Sequence, residues 1–385
     1  MAKIPKVILL IETARAFGRG LLRGITKYSC IHGPWVFYRQ SERPENTLPR
    51  LKNWGADGMI MHATRDVKIE KILFMGIPTI ICPHVKGPIQ GFPNIVGDDD
   101  AIGRIAVEYL LERGFRNFGF CGFDNMFWSK NRAQSFCKAV VNAGFEVYFY
   151  KQPKSRTQRL WEHEQTLMAD WLKSLPRPVG VMACNDERGQ HVTEACKIVD
   201  LHVPEEVAII GVDNDQFICD LCDPPLSSIA YNSERAGYEA ADLLDDLMAG
   251  KKKIANQEIV IHATHVVPRQ STDILAIEDV EVARAVRFIR QHSKEAIQVS
   301  DVVDTVALSR NSLYQKFRKI LGRSPNEEIR RIRVEEITKM LVETSMPISQ
   351  IASVLEYAST PHIARYFRRE KGMSPMAYRK RYGQK

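Results

Sequence analysis

Apolar positions in residues 6–270 fall into short runs and helical stripes that take turns. Lys6–Ile11, Ala56–Met61, Pro78–Cys82, Ile95-Val96, Asn117–Gly122, Glu146–Tyr150, Val179–Cys184, Val207–Val212 and Leu226–Ala230 read as strands. Phe17–Cys30, Val67–Met75, Ala101–Arg113, Lys130–Ala143, His163–Ser174, Glu187–Val199 and Glu234–Ala249 read as helices. Such alternation specifies parallel sheets flanked by helices. About 270 residues is long for one sheet and comfortable for two lobes.

From Val299 to Arg379 the pattern is helical and is written twice. Ser309, Leu313, Phe317, Gly322 and Ser324-Pro325 recur 50 residues later as Ser359, Ile363, Phe367, Gly372 and Ser374-Pro375. Val302-Val303 and Val306 recur as Ile351-Ala352 and Leu355, 49 residues on, so the second copy has one extra residue in its turn. Each copy reads as helix, short turn, helix. Ser300 and Ser349 are candidate caps of the first helices, and Ser309 and Ser359 of the second, because a serine oxygen accepts from unpaired first-turn amides. Leu313, Phe317, Ile320 and Leu321 form a buried stripe, and Gly322 is a C-terminal stop. Ser324-Pro325-Asn326-Glu327 is a capping box that starts a helix running to about Val342 and joining the copies.

Paired short helices with a tight turn make a helix-turn-helix, whose second helix enters the DNA major groove. The polar faces left over are Arg310, Asn311, Tyr314, Gln315 and Arg318 in copy one, and Thr360, Pro361, Ala364, Arg365 and Arg368 in copy two. Arg and Gln there suit guanine and adenine edges. The alternative is a helical bundle with a solvated basic face. With its second-copy signature Ser359-x6-Tyr366-Phe367-Arg368-Arg369-x2-Gly372-x-Ser374-Pro375-x2-Tyr378-Arg379, the stretch resembles the DNA-binding domain of AraC/XylS-type transcription regulators over about the last 100 residues. That family usually has Gly in each turn, where this chain has Ala307 and Glu356. A replacement in left-handed backbone costs about 1 kcal/mol.

Charge supports the division. Residues 281–385 hold 21 Lys and Arg against 11 Asp and Glu, leaving 33 against 35 for residues 1–280. The basic excess sits with the repeat, as phosphate binding requires. No apolar run approaches the roughly 18 residues of a membrane span, and Met1–Pro5 leads into the first strand without a signal-peptide pattern, so the expected location is the cytoplasm, with the nucleoid through DNA. The eight cysteines read as reduced core residues, and Cys219-x-x-Cys222 lacks the second pair of a metal site. No metal or cofactor is expected.

In α/β sheets, ligands bind at the carboxyl ends of strands. Glu12, Asp98-Asp99-Asp100, Asn185-Asp186 and Asp213-Asn214-Asp215 lie there. Arg132 sits at the start of the helix after Asn117–Gly122, and Phe17, Phe123, Phe127, Trp128 and Tyr231 are nearby. Carboxylates, amides and arginine pair with hydroxyls, and aromatic faces pack on sugar C–H surfaces. Each also has a structural reading, as helix cap or core. The candidate sugar site is Glu12, Phe17, Arg19, Asp99, Trp128, Arg132, Asn185, Asp186, Asp213 and Tyr231.

Val96-x2-Asp99-x3-Gly103, Arg132-x3-Phe136, Asn185-Asp186, Ile210-Gly211-Val212-Asp213-Asn214, Leu226-x2-Ile229 and Arg269-x-Ser271-Thr272 are similar to the sugar-binding domain of LacI-type repressors and periplasmic sugar-binding proteins. The resemblance implies that Asp99, Arg132, Asn185 and Asp213 contact sugar hydroxyls. This chain departs from it with Gly189 in place of Ala and Tyr231 in place of a common Gln.

LacI-type repressors carry their DNA helices first. Here the sheet begins at residue 6 and the reader comes last. The expected fold is α/β: a two-lobed periplasmic-binding-protein-like (LacI-type) sensor over 1–273, a linker over 274–280, and an all-α AraC-type DNA-binding domain with two helix-turn-helix motifs over 281–385. Together the resemblances imply a sugar-responsive transcription regulator, an activator of pentose (xylose-type) catabolic genes. Its partners would be double-stranded operator DNA, a sugar effector, RNA polymerase in the activator case, and a second copy in a homodimer, with no membrane. A different sugar, repression, a transport-type receptor and an enzyme are the alternatives; no Walker-A loop, Gly-x-Ser-x-Gly elbow or zinc cluster favours the last. Lobe closure on sugar is expected to reach the reader through the short segment Ile274–Asp279.

Overall fold

The computed structural model describes residues 4–39, 54–63, 76–155, 157–253, 255–274, 277 and 279–383. The first sheet contains β1 (Lys6–Leu10), β2 (Val36–Arg39), β3 (Gly58–Ala63), β4 (Thr79–Pro83) and β5 (Asn94–Gly97). The second contains β6 (Asn117–Cys121), β7 (Val147–Phe149), β8 (Val179–Ala183), β9 (Val207–Val212) and β10 (Ser227–Tyr231). β11 (Glu258–Ile261) returns to the first sheet and β12 (Ala263–Val267) to the second. The orders are β11-β5-β4-β3-β1-β2 and β12-β10-β9-β8-β6-β7. Pairing is parallel apart from β12 against β10. Every residue of β3 and β9 is buried, as parallel strands covered on both faces require.

Around the sheets lie α1 (Ala16–His32), α2 (Asp99–Glu112), α3 (Phe127–Asn142), α4 (Trp161–Ser174), α5 (Asp186–Ile198), α6 (Gln216–Leu221) and α7 (Ser233–Met248). α1 and α7 cover the first sheet and approach until backbones touch. A Cβ on Gly24 would lie 1.9 Å from the Glu234 carbonyl, and one on Gly237 would lie 2.1 Å from that of Leu21. The strands β2, β11 and β12 and the helix α6 have no counterpart in the sequence reading. Val67–Met75, read there as a helix, lies outside the described residues.

The chain crosses between lobes at Asp98, Asn232 and His262, and the crossings bond to one another. Asp98 N–H donates to the Ile261 carbonyl and Asn232 N–H to that of His262, both at 3.0 Å. The Asp98 carboxylate lies 3.2 Å from His262 Nδ1.

Seven helices follow: α8 (Val280–Gln291), α9 (Val299–Val303), α10 (Arg310–Leu321), α11 (Pro325–Glu343), α12 (Ile348–Val354), α13 (Thr360–Lys371) and α14 (Pro375–Tyr382). α9–α10 and α12–α13 are the two helix-turn-helix copies. α11 serves both: Ile329 and Ile332 pack with Leu313 and Phe317, and Ile337 and Leu341 with Ile363 and Phe367. Ser309 and Ser359 cap α10 and α13, and Ser324 with Glu327 forms the box on α11. Gly322 and Gly372 are left-handed at φ 71° and 72°. The first-helix caps differ from expectation. Ser300 and Ser349 lie inside their helices. Gln298 precedes α9, its N–H donating to Asp301 at 2.7 Å, and Pro347 precedes α12.

Candidate functional site

A cavity of about 210 Å³ opens between the lobes, lined by Glu12, Phe17, Asp99, Trp128, Arg132, Asn185, Asp213 and Tyr231 among others. The strand ends of both sheets bring these residues together. Arg132, in the second turn of α3, is 4% exposed and organises the far wall. Its Nη1 donates to the Cys184 carbonyl at 2.6 Å and its Nη2 to Asp213 Oδ1 at 3.4 Å; its Nε lies 3.5 Å from Asp99 Oδ1. The guanidinium is 5.1 Å and 5.3 Å from the ring centroids of Trp128 and Tyr231. Gly97 leaves room for this packing, because a Cβ there would sit 2.1 Å from the Tyr231 hydroxyl oxygen.

Burial raises the pKa of Asp99 and Asp213 despite the adjacent Arg132. Burial alone would lower that of Arg132, but Asp213 first, then Tyr231 and Asp99, raise it overall. Asp213 is held at φ 100° and Asn214 at φ 49°, backbone that non-glycine residues adopt at a cost. Asn185 accepts the Arg188 N–H at 3.0 Å, so it caps α5 while facing the cavity.

Two expected site residues lie elsewhere. Arg19 bonds Asp215 at 2.6 Å, where a carboxylate from the other lobe also accepts the Ala16 N–H at 2.9 Å and caps α1. Asp186 is buried, accepting from Ser228 Oγ at 2.5 Å and Asp215 N–H at 2.6 Å, so it holds the loop after β9. Both are drawn off by closer polar partners. Sequence reading missed Arg15, His62, His84 and Asn131, which also line the cavity. His62 and His84 lie at the ends of β3 and β4; the rule that selected Glu12 and Asp213 would have found them.

On the reader, Arg310, Asn311, Gln315 and Arg318 of α10 are exposed, as are Thr360, Pro361, Arg365 and Arg368 of α13. Ala364 is half-buried. Tyr314 is half-buried too, and its hydroxyl accepts from Asn326 Nδ2 at 2.8 Å, which turns it toward α11. Glu356, in the second turn, takes φ 53°, whereas Ala307 does not enter the left-handed region.

Reader and sensor touch directly. Arg331 of α11 pairs with Glu112 at the end of α2, Arg290 Nη2 donates to the Glu112 carbonyl at 3.4 Å, and Arg116 Nη2 to that of Ile320 at 3.0 Å. Burial pushes the Glu112 carboxyl up to about 7 even beside Arg331. His265 of β12 lies 2.9 Å from Glu343 at the end of α11. The C-terminal helix α14 rests on the hinge: Asn232 Nδ2 donates to the Tyr382 carbonyl at 2.7 Å, Arg235 donates to that of Lys380, and the Tyr382 ring stands edge-on to His262 with centroids 5.3 Å apart. The expected route through Ile274–Asp279, whose residues 275, 276 and 278 lie outside the described set, is therefore accompanied by direct contacts.

Residues 107–272 match the periplasmic binding protein-like domain family, and residues 302–381 a helix-turn-helix domain family. The chain is 28% identical over 386 residues to the xylose operon regulatory protein of Escherichia coli (strain K12), covering 98% of this chain and 97% of that one. It is 27% identical over 254 residues to the transcriptional repressor CytR of the same organism, covering 64% of this chain and 73% of the relative. A solved structure described as the xylose-binding transcription activator xylR superposes with a TM-score of 0.62 at 26% identity, over 100% of both chains. The chain joins a periplasmic-binding-protein-like sugar-sensor domain to an AraC-type helix-turn-helix domain, as a sugar-responsive transcription regulator similar over nearly its whole length to the xylose operon regulators.

Proposed function

We propose that the effector is a pentose of the xylose type, bound between the lobes at Asp99, Arg132, Asn185 and Asp213 with Phe17, Trp128 and Tyr231 against its C–H faces. The exposed side chains of α10 and α13 read operator DNA. The protein works in the cytoplasm as a homodimer on paired half-sites, where two linked readers gain effective concentration, and activates pentose catabolic genes by contact with RNA polymerase. The matches to xylose operon regulators over nearly the whole chain support the sugar class.

One observation carries the responsive part. Tyr231 lines the cavity, and the next residue, Asn232, bonds the end of the DNA reader. A sugar that moves Tyr231 therefore acts one peptide away from the contact that holds α14. Fluorescence anisotropy of operator DNA, titrated with and without D-xylose, tests this. The expected change in operator affinity is about 5- to 150-fold, the usual range of allosteric coupling. Calorimetric binding of D-xylose with no effect on operator affinity would contradict it.

A further inference from the structure

We propose that His62 donates a hydrogen bond of fixed tautomer to an oxygen of the bound sugar, and that the cavity thereby selects an uncharged monosaccharide over sugar acids and sugar phosphates. This rests on the sensor reading above and specifies its ligand. The Glu12 backbone N–H points at His62 Nδ1 from 3.2 Å, so that nitrogen must accept. A neutral imidazole carries one N–H, which leaves the proton on Nε2. Nε2 is buried and finds no hydrogen-bond partner among the described residues. His62 lines the cavity, is 5% exposed, and stacks on Phe17 with centroids 5.6 Å apart and planes at 21°, so the ring is held in place. A ligand oxygen is the partner that the cavity admits.

His84 stands 6.3 Å away, ring to ring, with both nitrogens buried and unpartnered among the described residues. It has no backbone bond to fix its tautomer, so it donates or accepts as the ligand requires. Burial, then His84 and Arg15, hold the His62 pKa down to about 3, and burial also lowers that of His84. Neither imidazole adds a positive charge at neutral pH. The charged groups in the lining are Glu12, Asp99, Asp213 and Glu258 against Arg15 and Arg132. Carboxylates outnumber guanidiniums, and both guanidiniums already face carboxylates: Arg15 bonds Glu187 and Arg132 bonds Asp213. A sugar phosphate or aldonate would enter a field of its own sign with no free cation among these groups to receive it.

The test uses the full-length protein with selectively ¹⁵N-labelled histidine and a fixed panel: D-xylose, its monodeoxy analogues, D-xylose 5-phosphate and D-xylonate. His62, assigned through His62→Gln, should be the neutral Nε2–H tautomer from pH 5 to 8, with its resonance displaced at D-xylose saturation. In calorimetry one monodeoxy analogue should bind the native protein about 10- to 100-fold more weakly than D-xylose, because it leaves the buried donor unpaired. That gap should shrink to within about threefold in His62→Leu. The two anionic sugars, measured on the native protein and so independent of any variant's folding, should bind far more weakly than D-xylose. An Nδ1–H or cationic His62, an unmoved His62 in a saturated complex, or anionic sugars that match D-xylose would overturn the proposal alone. Failure of D-xylose and all its analogues in the panel to bind would remove the sensor reading, and the proposal with it.

Discussion

Copy one of the helix-turn-helix repeat rests on the second lobe; copy two rests on the hinge. The C-terminal end of α10 takes the Arg116 guanidinium on the Ile320 carbonyl, and the adjoining start of α11 is pinned by Arg331 to Glu112. Copy two, through α14, is held by Asn232, Arg235 and His262, at two of the three crossings and the first turn of α7 in the first lobe, while Glu343 at the end of α11 beside it meets His265 of the second lobe. The copies share stripes, serine caps and glycine stops, so the repeat itself gives no reason for this asymmetry. The asymmetry matters if, as expected, lobe closure on the sugar turns the hinge relative to the second lobe. Motion there would be delivered between the two copies, through α11 and α14, rather than to the reader as one block. Two motifs that fold alike are thus tied to different parts of the sensor.

The comparison can be broken most severely at copy one's anchor. Arg331→Ala leaves the buried Glu112 without its guanidinium and the fully buried Glu328 with Arg323 alone. Removing one partner of a buried ion pair costs about 3–5 kcal/mol. Chemical denaturation should show a loss of that size, with α8 and α11 becoming the least protected helices in hydrogen exchange. A loss under about 1 kcal/mol would mean that the anchor is a surface pair.

Operator contacts sharpen the contrast next. Gln315→Ala on copy one should cost about 1–3 kcal/mol of operator affinity and relax preference at one base position. Arg318→Ala, if the guanidinium touches phosphate, should weaken all sequences alike and flatten the salt slope. Anisotropy at two salt concentrations separates these outcomes.

The smallest effect distinguishes the turns. Glu356 stands at φ 53°, where glycine is unstrained, but its carboxylate accepts the Ala296 N–H at 2.9 Å. Glu356→Gly trades relieved backbone strain against that bond and a more flexible unfolded chain, so its net effect should stay within about 0.5 kcal/mol. Ala307 gains nothing from glycine, and Ala307→Gly should cost about 0.4–1 kcal/mol. Equal losses at both turns in thermal denaturation would erase the distinction.

Much of the architecture was legible because it is periodic. Alternating strands and helices marked both lobes, and the 50-residue repeat with Ser309, Ser324, Ser359 and Gly322 marked the reader. The cavity was legible where strand ends carry polar residues, as at Glu12 and Asp213. The error at Arg19 and Asp186 has one cause: a polar residue in the right segment bonds whichever partner the fold brings closest, here Asp215 and Ser228. The hinge contacts were invisible for a related reason. Asn232 caps α7 by accepting the Arg235 N–H at 3.2 Å, a local role that says nothing of a distant partner. Only the tertiary fold brings its amide nitrogen to Tyr382, 150 residues away.

That double role makes the decisive measurement clean. Asn232→Asp keeps an oxygen to cap α7 and replaces the donor facing the Tyr382 carbonyl with an acceptor. Operator affinity would be titrated with and without saturating D-xylose for the native protein and for Asn232→Asp, with sugar affinity checked by calorimetry. If the hinge contact transmits the signal, the native ratio of about 5- to 150-fold falls to within about twofold of unity in the variant, while D-xylose still binds. A variant that binds sugar and keeps the full native ratio would contradict the account and move the signal to another contact.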